Sequence, residues 1–73
     1  MSVEVRSVLM RSHAGKKLVA SMDRYRQALG KEPDVYTVFP SQMSTIRAAL
    51  EKYGGHNKTA TPVHNGRPIR VQR

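Results

Sequence analysis

The chain has 73 residues, no cysteine, and 13 Lys and Arg against 5 Asp and Glu, a formal charge of +8. That length holds one small domain, which buries only about 60% of the surface its unfolded chain exposes. The composition excludes disulfides and thiolate metal sites, and no apolar run reaches the ~18 residues of a membrane span.

The first residues, MSVEVRSVLMRSHAG, lack the continuous apolar core of a signal peptide, so a soluble cytoplasmic protein is expected. By segment, residues 1–33 carry seven basic and three acidic side chains, 34–53 two and two, and 54–73 four and none. Two cationic ends therefore flank a neutral middle. Such an excess favours polyanionic partners: nucleic acid, an anionic membrane or an acidic protein face. It also helps solubility, although solubility alone would tolerate either sign.

Residues 2–10, SVEVRSVLM, begin with the alternation of a short strand, Val3 and Val5 against Glu4 and Arg6. The phase breaks at Val8, so a helix running to about Arg11 fits as well. The following RSHAGKK reads as a loop with Gly15 as its breaker. Leu18, Met22, Tyr25 and Leu29 then fall at i, i+4, i+7 and i+11, which predicts a helix over 16–29 with these four facing the core. Lys17 and Arg24 lie about a right angle or more from that side. Gly30 and Pro33 close the helix.

Five β-formers, Val35 to Phe39, predict a strand with both faces at least partly covered. Pro40 ends it, and Ser41 is placed to cap the next helix. Met43, Ile46, Leu50 and Tyr53 predict that helix over 42–53, stopped by Gly54-Gly55. GGHNKTA reads as a mobile basic loop over 54–60. Asn65-Gly66 then marks a hairpin over 61–72, because this pair readily takes the positive φ angles of a type I′ turn. In that register Ala60, Pro62, Ile69 and Val71 share a core side, and Thr59, Thr61, Arg70 and Gln72 share a wet one. Pro68 suits an edge strand, and regular pairing should fade near Pro62. The expected fold is α+β, ordered β–α–β–α–β–β: two helices on one face of a short mixed or antiparallel sheet, with the terminal hairpin beside the 35–39 strand.

Catalytic motifs are missing. The histidines His13, His56 and His64 lack ligand spacing and read as surface residues. No serine sits in a Gly-x-Ser-x-Gly elbow, and ALGKEP lacks the upstream glycine of a phosphate loop. NKT at 57–59 matches a glycosylation acceptor but has no secretory signal before it. Four of the five acids (Glu4, Asp23, Glu32, Glu51) stand within two residues of a base and read as surface ion pairs. A non-enzymatic monomer with neither cofactor nor metal is expected.

Nucleic acid is the first candidate partner. Arg67, Arg70 and Arg73 cluster on the hairpin with Lys58 and His56 before it. Lys16, Lys17, Arg24 and Arg26 group on or beside the first long helix. Guanidinium groups suit phosphate by charge and fork geometry. An aromatic platform for bases rests on Tyr36 alone, since Tyr25 and Tyr53 fall in the core-facing patterns. The element order departs from a winged helix, so backbone contact fits better than base reading. The competing class is a regulator docked on the acidic face of a larger machine, with an edge strand or SVEVR available for strand addition.

DVYTVFPSQMSTIRAALEKYGG followed by NGRPIRV resembles small phage-encoded proteins that modify a host machine, a subset of which bind the host RNA polymerase. The resemblance covers about half the chain. It implies a non-enzymatic regulator with a protein partner near an RNA path, acting in the host cytoplasm, and for the polymerase-binding subset a regulator of transcription. An inhibitor of an unrelated host protein and a virion structural component are the alternatives.

Overall fold

The computed structural model describes residues 1–55 and 60–72. It contains strand β1 (Ser2–Glu4), helix α1 (Arg6–Leu9), helix α2 (His13–Leu29), strand β2 (Tyr36–Val38), helix α3 (Pro40–Tyr53) and strands β3 (Thr61–His64) and β4 (Arg67–Val71). The sheet order is β1-β3-β4-β2, with β1 parallel to β3, β3 antiparallel to β4, and β4 parallel to β2. The chain is α+β with a mixed sheet, as the sequence predicts. The short helix α1 is additional: residues 2–10 are a strand and then a helix.

Backbone parity explains how this sheet tolerates two prolines. The hairpin pairs His64 with Arg67 and Val63 with Pro68 around Asn65 (φ 53°) and Gly66 (φ 80°), the expected I′ turn. Thr61 and Val63 direct their polar groups at β1: the Thr61 N–H donates to the Met1 carbonyl, and the Val63 carbonyl accepts from Val5 N, both at 2.9 Å. Pro62 lies between them with its nitrogen toward β4, and the β3–β4 pairs stop at Val63–Pro68. The sequence reading of β4 as an edge is corrected, because β2 lies on its far side. The Pro68 nitrogen faces β2, and the β2–β4 ladder starts one residue later, at Tyr36–Ile69.

All helices lie on one face of the sheet. Tyr36, Val38, Pro62, His64 and Ile69 point into that layer and are buried, while Thr37, Thr61 and Arg70 point away and are exposed. The 35–39 strand thus has one covered face, not two. Val5, Val8, Leu9, Leu18, Val19, Met22, Ile46, Ala49 and Leu50 complete the core from the first strand's end and the helices. Tyr25 and Leu29, expected in the core, are 50% and 42% exposed. Seventeen residues of α2 span roughly 25 Å at 1.5 Å each, whereas strands of three to five residues span roughly 10–17 Å. Tyr25 meets only the edge strand β2, edge-on against Tyr36 with ring centroids 6.2 Å apart, and Leu29 closes the helix.

Two helix starts differ from their predicted positions. Ser12 caps α2 by accepting the Gly15 N–H at 3.0 Å, so the helix opens three residues early and Gly15 lies inside it. Phe39, not Ser41, is the N-cap of α3. Pro40 follows at the first helical position, and the Gln42 side-chain oxygen accepts the Phe39 N–H at 2.8 Å.

Candidate functional site

The cations singled out by sequence fall on two sides of the molecule. At ~100° per residue, His13, Lys16, Lys17, Ala20, Arg24 and Gln27 occupy one arc of about 100° on α2, opposite Leu18, Val19 and Met22. All six are exposed, and none is acidic. The only acid of α2, Asp23, lies outside this arc. The structure therefore brings Lys16, Lys17 and Arg24 together on the outer face of the helical layer.

The two described hairpin arginines face opposite ways. Arg70 pairs with Thr37 on the open face of the sheet. Arg67 stands opposite His64, so it belongs to the helix side at the hairpin tip. Lys58, Arg73, His56 and most of the predicted 54–60 loop lie outside the described residues.

Ion pairing separates the arginines further. Arg6 bonds Asp23 at 3.2 Å and Arg26 approaches Glu32 at 4.0 Å. Lys16, Lys17, Arg24, Arg67 and Arg70 form no ion pair among the described residues. Arg26, grouped with the binding cations by sequence, is thus half-buried and turned toward Glu32.

The acids do not form the sequence-local ion pairs that were expected. Asp23 reaches His64, 41 residues away, and Arg6, 17 residues away. Burial raises the Asp23 carboxyl, but the hydrogen bonds from His64 and Arg6 and their charge outweigh it and hold Asp23 below its ordinary value. As Asp23 is then a carboxylate, His64 Nε2 carries the proton and donates across the 3.1 Å contact. Glu4 flanks the other ring nitrogen, with Oε2 3.9 Å from Nδ1, and its Oε1 accepts the Gly66 N–H at 3.1 Å. Glu32 accepts the Tyr36 hydroxyl.

His64 is therefore a core residue, not a surface one. Alternation held the signal: His64 is in phase with Pro62 along β3. Being fully covered, it joins the hairpin to β1 and α2 and offers solvent no reactive nitrogen. Among the described residues no three His, Asp or Glu side chains are grouped to hold a metal ion.

The aromatic accounting also changes. Tyr36 is 1% exposed, packed edge-on against His64 at 5.0 Å, and burial together with the Glu32 carboxylate pushes its hydroxyl up to about 12. It offers no platform to a base. The accessible rings are Tyr25 and Phe39, the latter 58% exposed.

No described helix is long and apolar enough to cross a membrane. The chain matches no protein-family model, no curated protein and no solved structure.

Proposed function

We propose that this protein is a small basic non-enzymatic regulator that acts on nucleic acid, or on a nucleic-acid machine such as RNA polymerase, through the outer face of α2. The observation carrying this reading is the acid-free arc of Lys16, Lys17 and Arg24, exposed and without ion-pair partners among the described residues. Three cations within about 12 Å of helix axis, at 1.5 Å per residue, match a run of backbone phosphates in charge. They carry no base-reading geometry, so the contact positions the protein without specifying sequence. Arg67 stands apart from this arc, at the hairpin tip opposite His64.

The test compares tagged wild type with the Lys16→Gln/Lys17→Gln/Arg24→Gln variant in bacterial lysate, with and without nuclease. Wild type is expected to recover nucleic acid, or RNA polymerase that survives nuclease, and the folded variant to lose it at least tenfold. Equal recovery by the folded variant, or recovery of neither partner by wild type, overturns the reading.

A further inference from the structure

A groove runs between α2 and α3 that the core does not fill. It consists of two hollows. One, of about 260 Å³, lies between Ala14 of α2 and Ala48, Ala49 and Tyr53 of α3. The other, of about 170 Å³, lies where Leu18, Ser21 and Tyr25 face Gln42 and strand β2. On α2, Ala14, Leu18, Ser21 and Tyr25 fall at i, i+4, i+7 and i+11, so both hollows share one wall, roughly 16 Å long. The opposite wall is α3 at the first hollow, and Gln42 of the antiparallel α3 with strand β2 at the second.

The charge at the Tyr53 end of this groove is cationic. The Arg11 guanidinium lies 5.0 Å and the Lys52 ammonium 5.4 Å from the centre of the Tyr53 ring. Among the described residues no carboxylate lines either hollow. The only acid on α3, Glu51, is outside the lining, about 160° around the helix from Ala49 and about 60° from Ala48. An apolar hollow at Ala14, Ala48, Ala49 and Tyr53 with a cationic end, and a more polar one along the same α2 wall, matches an amphipathic helix bearing carboxylates.

We propose that the α2–α3 groove docks an acidic amphipathic helix of a partner protein, its apolar side in the trough and its carboxylates on Arg11 and Lys52. Nucleic acid fits the trough poorly, because phosphates would lose water against alanine methyl groups. A second copy of this chain fits poorly too. It carries +8, the one acid of its α2 is bound to Arg6 and His64, and its α3 offers Glu51 alone. The inference does not depend on the nucleic-acid reading, which uses a different face of α2.

The test titrates the isotope-labelled full chain with a synthetic 14-residue peptide. The peptide has leucines at helical i, i+3, i+4, i+7 spacing and glutamates on its flanks. Amide shifts should saturate and centre on Ala14, Ala48, Ala49 and Tyr53. Ala48→Glu and Lys52→Glu, both at exposed positions, should each weaken binding at least tenfold, while the α2 glutamine variant should bind as wild type does. A scrambled peptide of the same composition that binds equally, shifts confined to other faces, or no saturable shift overturns the proposal. Unchanged binding by folded Ala48→Glu does the same. Concentration-dependent shifts in the groove without peptide would assign it to a second copy, and a duplex DNA probe shifting the groove in place of the α2 arc would assign it to nucleic acid.

Discussion

A β-carbon on Gly15 would lie 2.0 Å from the Leu9 carbonyl oxygen and 2.7 Å from its carbon. Glycine is thus required where the end of α1 presses on the first turn of α2, not as a breaker. Gly15→Ala gains ~0.8–1 kcal/mol of helix propensity but forces backbone apart in a packed core, at about 1–3 kcal/mol or more. At a 2.0 Å approach to backbone the contact is at the costly end of that range, and urea unfolding of this variant should show a net loss of about 2 kcal/mol. Asp23 yields a second prediction. Its folded carboxyl sits below the ordinary 3.8, so its contribution is present above that pH and is lost as pH falls through the lower, folded value. Stability of the wild type relative to Asp23→Asn should therefore narrow below pH ~4, read by denaturant midpoints at a series of pH values. A constant difference down to pH ~2 would remove Asp23 from the linkage.

At the scale of elements, α3 tests which residue caps it. Ser41 has the favoured chemistry, and sequence alone points to it, but Pro40 takes the first helical position and moves the cap back to Phe39. The Thr45 hydroxyl donates to the Ser41 carbonyl, and no cap bond uses the Ser41 hydroxyl. Gln42→Ala should cost about 0.5–1.5 kcal/mol, while Ser41→Ala should stay within about 0.5 kcal/mol; thermal midpoints of the two variants decide it. The reverse order would restore Ser41 as the cap. The hairpin was legible because its determinants are adjacent: Asn65-Gly66 sets the turn and alternation sets the faces. The end of α2 was not, because Tyr25 and Leu29 keep the spacing of core residues where cover is incomplete: Tyr25 meets only the edge strand at Tyr36 and stays half exposed. Periodicity reports which side of a helix a residue is on, and only the neighbouring element decides whether anything covers that side.

For the whole molecule, the charge was legible in the sequence and its placement only partly. Counting shows +8, and helical spacing separates Lys17 and Arg24 from the core side. That Arg67 and Arg70 face opposite ways depends on which side of β4 receives the helices. That Arg6 and Arg26 are committed to acids depends on contacts between separate elements. A rigid duplex cannot meet the outer face of α2 and the open face of the sheet at once, since helices and core lie between them in a body of 34 × 26 × 23 Å. Binding to duplex DNA should therefore have the salt dependence of one face, not of eight charges. Each phosphate neutralised contributes about −0.9 to the slope of log K against log salt. Lys16→Gln/Lys17→Gln/Arg24→Gln should flatten that slope by about 2.7, whereas Arg70→Gln should leave it unchanged. The measurement is fluorescence anisotropy with a 20-base-pair duplex across a salt series. If Arg70→Gln flattens the slope as much per charge as the α2 variant, the ligand must reach both faces. A flexible single strand wrapped around the sheet edge would do so, and a duplex laid along α2 would not.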